Sequence, residues 1–276
     1  MVEPDEFLRG VEEGVRSRMD RDGSLAAFLE TFSGPDGQLA LELLAQLAGS
    51  IGAGLANHVS QVRRLPREIA EFIVLFAPRG WAPNERSDMG IFRAALDVYH
   101  ATGELDGAER RLVEEWNRND HLRVAVLPIQ TLGAGSDKLA GVGNARWRLV
   151  EKAFGHHAAG AYEASVPIVL AQADGVAIDV GFKNGLFEKP LNRKPDARLD
   201  DSTLFGLSDT QTRLLPLFAA EARHTRAAGT LSRHGILHGR ELGYDTLENS
   251  TKAFALLAAV IQWALPRSRE LADART

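Results

Sequence analysis

Ser232-Arg233-His234-Gly235-Ile236-Leu237-His238-Gly239-Arg240, continued by Glu241-Leu242-Gly243-Tyr244-Asp245-Thr246-Leu247-Glu248-Asn249, is the stretch from which the other parts of this 276-residue chain are read. Ser232 is a good N-cap, because its side-chain oxygen can take a first-turn amide, so a helix starts at Arg233 and Gly239 stops it. Asp245-Thr246-Leu247-Glu248 is a capping-box pattern. Beyond it Ala253, Phe254, Leu256, Leu257, Val260, Ile261 and Ala264 recur at helical spacing until Pro266, which predicts a core helix with the Arg/His segment at its entrance.

The same period runs through the preceding sequence. Residues 1–34 read as two short helical pieces broken at Asp20-Arg21-Asp22-Gly23, a turn rather than a calcium loop, since the later ligands and closing Glu of an EF-hand are missing. Further helices are expected from Gln38 to Val62, from Pro66 to the stop at Pro78-Arg79-Gly80-Trp81, and over Ile91–Tyr99, Ala108–Trp116 and His121–Leu132, the last interrupted by Pro128. Gly133-Ala134-Gly135-Ser136 reads as a linker between a helical N-terminal region, residues 1–132, and a C-terminal domain over 138–265. Lys138–His157, Ala158 to about Phe182 and Leu204 to about Ala228 are helical, with a long exposed loop over Lys183–Ser202. Alternating strand patterns are scarce, so the fold class is all-α.

Composition narrows the function. A chain of this length with 45% hydrophobic residues can bury a sizeable core. It has no cysteine, which excludes disulfides, thiolate chemistry and cysteine-based metal sites and suits a reducing cytoplasm. The acidic start Met1-Val2-Glu3-Pro4-Asp5-Glu6 lacks a secretory signal, and no apolar run is long enough to span a bilayer, so a cytoplasmic protein with no membrane partner is expected. A net charge of −5 argues against a surface coated for nonspecific nucleic-acid binding, but leaves room for a local patch from Arg223, His224 and Arg226 to Arg233, His234, His238 and Arg240.

Several chemistries drop out. Gly-x-Ser-x-Gly and His-Glu-x-x-His are absent, and no Gly-Lys-Ser/Thr follows Gly133-Ala134-Gly135-Ser136. His156 and His157 are neighbours and point to different sides of a helix, so they cannot chelate one metal. No carboxylate is evident to complete a site from His224, His234 and His238. What remains is a permanently charged guanidinium five positions before a group that titrates near neutrality, Arg233 and His238, at a capped helix start that favours an anion. Spacing alone is weak, since Arg93 and His100 fit its looser form. The structural alternative is that His238 caps or packs at a helix end, that Arg233 pairs with Glu241 or Glu221, and that Asn249 serves its own helix.

Ser232–Arg240, Tyr244-Asp245-Thr246, and Asn249-Ser250-x-Lys252 leading into the Leu/Ala-rich final helix resemble the HEPN superfamily, whose signature is an arginine, usually followed by a polar residue, with four to six residues between the arginine and a histidine. The resemblance extends to Tyr162–Gly175, with Pro167 and Gln172-Ala173-Asp174-Gly175, and more weakly to Phe72–Trp116 with Arg79-Gly80-Trp81; Asp174 stands where that family has glutamate. It implies an antiparallel helical bundle that dimerises, acting as a metal-independent endoribonuclease without cofactor in a toxin or phage-defence setting, with an antitoxin or activator as partner. Arg233 and His238 become the catalytic pair, with His234, Arg240, Asn249 and Asp174 in substrate-binding or supporting roles. Positions five apart diverge by about 140° on an ideal helix, and a two-fold dimer would answer this by gathering two pairs in one groove. His238 would then serve as base or acid at the ribose 2′-hydroxyl and leaving oxygen, and Arg233 would hold the phosphate of unpaired RNA. The other reading, from a different class, is a catalytically silent helical module that binds RNA or a partner protein through the same groove.

Overall fold

The structure is a computed structural model that describes residues 67–84, 89–180 and 229–273. The expected helices before residue 67, the loop over 183–202 and the helix over 204–228 lie outside the described residues, as do Glu221, Arg223, His224 and Arg226. Two compact units divide the chain, Met1–Val74 and Leu75–Thr276. Residues 67–76 are helical, and the stop expected at Pro78 is a 3-10 turn over Ala77–Arg79 closed by Gly80 at φ 97°, a left-handed position that glycine takes without strain.

Within the second unit the helices are α1 (Met89–Thr102), α2 (Leu105–Trp116), α3 (His121–Val126), α4 (Val142–Ala158), α5 (Tyr162–Asp179), α6 (Arg233–Leu237) and α7 (Leu247–Asp273). The described residues hold no extended strand, and the chain is all-α over them. Helices α1 and α2 form a hairpin across Gly103 and Glu104, where Gly103 has φ 73°. Pro128 converts the end of α3 into a 3-10 turn, Leu127–Thr131, because proline fits a first turn but cannot donate further along a helix.

Helix α7 is the axis of the unit. It packs on α5, α3, α2 and the Leu127–Thr131 turn, while α5 also packs on α4 and α6. From Ala253 to Leu265 every residue is buried, as expected of a helix whose apolar positions run all the way round. Phe254 stacks on Phe154 of α4 with ring centroids 4.2 Å apart. The helix does not stop at Pro266 but continues to Asp273. The next residue, Arg267, donates from Nη1 to the Trp263 carbonyl, with its guanidinium 4.4 Å from the Trp263 ring.

Gly133-Ala134-Gly135-Ser136 lies inside this unit as a pair of turns rather than a spacer. Helix α4 follows, and it comes so close to the preceding turn that a Cβ on Gly143 would sit 2.5 Å from the Ile129 carbonyl oxygen. Before that turn α3 packs on α7, and after it α4 meets α7 through the Phe154–Phe254 stack.

Three polar clusters pin this core. Lys252, 7% exposed in its side chain, reaches Glu109 at 2.8 Å and Glu248 at 2.5 Å and lies 5.4 Å from the Trp81 ring. Glu109 also accepts from Trp81 Nε1 and pairs with Arg79. Burial pushes the Glu109 carboxyl up, and the bonds from Arg79, Lys252 and Trp81 more than offset this and hold it below the usual carboxylate range. The second cluster is Arg146, which bonds Asp179 at 2.7 Å and Gln172 at 2.9 Å, its guanidinium lying where a Cβ on Gly175 would stand. Thus Gln172 and Gly175 of the Gln-Ala-Asp-Gly string serve Arg146.

The third cluster surrounds His157, which turns inward with Val150 and Ala153 on one face of α4. Its Nδ1 lies 2.8 Å from Ser250 Oγ and its Nε2 2.6 Å from Asn117 Oδ1. Asn117 Nδ2 donates to the Val113 carbonyl and to Thr251 Oγ1, so Oδ1 is the acceptor facing the ring. His157 therefore carries its proton on Nε2 and accepts from the Ser250 hydroxyl, which in turn accepts from Ser165 at 2.9 Å.

Candidate functional site

Helix α6 is a single five-residue turn on the loop that enters α7. The Ser232 hydroxyl accepts from Gly235 N at 3.1 Å, which is the cap read from the sequence. The anion preference expected of this helix start does not follow, because so short a helix builds almost no macrodipole and the cap already takes one of its amides. Any anion here must be held by side chains. Gly239, at φ 65°, then turns the chain back so that the Arg240 and Glu241 amides both reach the Gly235 carbonyl, at 2.7 and 3.0 Å.

The loop is fastened at both ends. Glu241 is fully buried and accepts from Gly229 N at 3.1 Å and Thr230 Oγ1 at 2.9 Å, so this carboxylate serves the loop and not Arg233. Asn249, also buried, donates from Nδ2 to the carbonyls of Gly229 at 3.0 Å and Tyr244 at 3.1 Å. It binds loop backbone, a role in construction. The cap of α7 falls one residue later than the capping box suggests: Thr246 Oγ1 accepts from Asn249 N, and Glu248 turns to Lys252 instead.

A further tie explains a proline. Pro167 inside α5 has no N–H for the Glu163 carbonyl four residues earlier. The Tyr244 hydroxyl donates to that carbonyl at 3.1 Å, docking the loop on α5 through the acceptor the proline sets free. Burial, together with Asp245 and Glu163, pushes the Tyr244 phenol up, so it stays a donor at neutral pH.

Arg233 pairs with Asp174 of α5, Nη2 to Oδ2 at 2.8 Å. Asp174 is nearly buried, whereas the arginine side chain keeps 30% of its surface exposed, so the carboxylate aims a guanidinium that still reaches solvent. His234 is half-buried and His238 exposed, and their rings lie 4.3 Å apart between centroids. The separation follows from their i, i+4 spacing at the end of α6. Arg240 is exposed on the same loop. The structure thus brings together His234 with His238 and Arg233 with Asp174, while Asn249 faces the loop backbone.

Two features escaped the sequence reading. His157 was set aside as a metal ligand, but its buried role could have been read from Val150, Ala153 and His157 recurring at i, i+3 and i+7. The Pro167–Tyr244 pairing had no local signal, being a contact between residues distant in sequence. Among the described residues no group of three His, Asp or Glu side chains could hold a metal ion. No helix among them is long and apolar enough to cross a membrane. No family model, curated protein or solved structure matches this chain.

Proposed function

We propose that the protein is a metal-independent endoribonuclease of the HEPN type, cutting unpaired RNA as a homodimer through Arg233 and His238. The observation that supports this most directly is the pairing of His234 and His238 on an anchored loop, beside an arginine aimed by a nearly buried carboxylate. A guanidinium has five N–H donors, and a partly exposed one can hold a phosphodiester and its developing charge while Asp174 fixes its direction. One imidazole takes the proton of the ribose 2′-hydroxyl as O2′ attacks phosphorus. The bond from phosphorus to the 5′-oxygen breaks, that oxygen receives a proton from an imidazolium, and a 2′,3′-cyclic phosphate and a 5′-hydroxyl result. The exposed Leu237 and Leu242 flank the histidines and supply apolar surface for a second copy. A toxin or phage-defence role, with an antitoxin or activator that masks or completes this face, belongs to the same reading.

The test is incubation of purified protein with labelled single-stranded RNA in EDTA, comparing wild type with His238→Ala. Cleavage that persists in chelator, yields cyclic phosphate ends and disappears in the variant supports the proposal. RNA binding without cleavage by either protein overturns it in favour of a silent module.

A further inference from the structure

A cleft of about 600 Å³ opens where the α2–α3 corner meets the end of α4 and the starts of α5 and α7. Its volume lies within the range of small-molecule sites, roughly 300–1,000 Å³. Its wall holds the aromatic rings of Phe154 and Tyr162 with His157 beside them, the Tyr162 and His157 rings meeting edge to face at 5.7 Å. Trp116 also lines it, and its buried Nε1 has no hydrogen-bond acceptor. Around the mouth stand Asp120, Glu151 and Arg123, the last two joined at 3.2 Å with both side chains about half exposed. So exposed a pair is weak and opens readily to a better partner.

We infer that this cleft is a nucleobase subsite that seats one amino-bearing base of an RNA strand. Flat rings offer a face for stacking, which any base can use. The carboxylates of Asp120 and Glu151 are acceptors, and they suit the amino groups of adenine, guanine and cytosine better than the carbonyl edge of uracil. Arg123 at the mouth is placed for the attached phosphate, which competes with Glu151 for its guanidinium. His157 is unsuited to bind that phosphate, since its two ring nitrogens are engaged with Ser250 and Asn117.

The cleft adjoins the histidine loop through two helices. Leu247 lines the cleft, and Asn249 two residues on holds the loop carbonyls. Tyr162 lines it too, and the next residue, Glu163, receives the Tyr244 hydroxyl. The cleft and the proposed cleavage loop are thus tied to the same two helix starts, and the inference rests on the ribonuclease reading for the identity of the strand.

The experiment is calorimetric titration of the full chain in EDTA with AMP, GMP, CMP and UMP, with ribose 5-phosphate and inorganic phosphate as controls. Expected is saturable binding of AMP, GMP or CMP, weaker binding of UMP, and at least tenfold weaker binding of the base-free probes. Tyr162→Ala should weaken nucleotide binding about tenfold. Arg123→Ala at the exposed rim should weaken it several-fold, and Arg110→Ala, at an exposed arginine of α2 outside the cleft, should bind as wild type. Absence of nucleotide binding overturns the inference, as does binding that both cleft variants leave unchanged or that ribose 5-phosphate matches. Competition by a single-stranded RNA hexamer supports a strand-borne base, and lack of competition overturns that in favour of a free nucleotide. RNA cleavage without monophosphate binding removes the subsite and leaves the ribonuclease standing, whereas monophosphate binding without cleavage does the reverse.

Discussion

His157, near the end of α4, and His238, at the end of α6, are the same side chain in opposite circumstances. His157 spends one ring nitrogen on Ser250 and the other on Asn117, and burial pushes its imidazole below the ordinary value, so it stays neutral and holds four helices together. His238 stands in solvent at the end of a single helical turn, with the ring of His234 beside it. The difference teaches where to look for chemistry: an imidazole with both nitrogens committed is a brace, and an exposed one beside a second imidazole is open to a ligand.

The sharpest way to break this comparison is to exchange the two roles by mutation. His238→Ala should reduce RNA cleavage by about 10²–10⁴-fold, the range for loss of a general acid or base, with the thermal midpoint unchanged. Equal loss of cleavage from His157→Ala in a fully folded protein would erase the distinction. Next in size is Lys252→Met, which leaves Glu109 without one of its buried partners and should cost about 3 kcal/mol in urea unfolding, while an exposed Arg240→Ala should cost less than about 0.5 kcal/mol.

A pH series separates the braces from one another. Because His157 binds its proton less readily folded than unfolded, its contribution is complete above the unfolded value near 6.5 and is lost as pH falls through the lower folded value. The thermal midpoint should therefore drop on acidification below about pH 6.5, and this part of the drop should vanish in His157→Gln. Glu109, also lowered, keeps its contribution above the ordinary carboxylate value and gives it up only in more acidic solution, so its loss forms a second, later decline. The smallest effect concerns the loop tie. Tyr244→Phe should cost about 1 kcal/mol, and a Pro167→Ala background, which restores an N–H for the Glu163 carbonyl, should shrink that cost. Additivity of the two substitutions would show that the phenol and the proline are not coupled.

Much of this architecture is written locally, and the parts that are not depend on distant partners. The run from Ala253 to Ala264 shows its period plainly, and so do the cap at Ser232 and the stop at Pro78. Pro266 misleads because the helix carries on through it to Asp273, a continuation that the apolar period ending at Ala264 does not foretell. Gly133-Ala134-Gly135-Ser136 has the composition of a spacer, yet it is a tight turn whose Gly133 lies so close to Leu139 that a Cβ there would clash with it. For the candidate site, the sequence names the residues at 174, 233, 234 and 238, while their pairing comes from the fold. The ion pair of Arg233 with Asp174 has no local signal, because the two residues are 59 positions apart in sequence and meet only when α6 docks on α5. Nor does spacing reveal that Asn249 faces the loop backbone.

Among the described residues, the loop bearing the histidines is held by polar ties at Ser232, Glu241, Tyr244 and Asn249, with Leu231 and Ile236 as apolar pegs. The α7 core has aromatic stacking and a wholly buried helix behind it. On warming, such a segment peels away while the scaffold is still intact. If the loop carries the proposed cleavage, heat should stop that cleavage some degrees before the bundle denatures, and cooling should restore it without any refolding of the bundle.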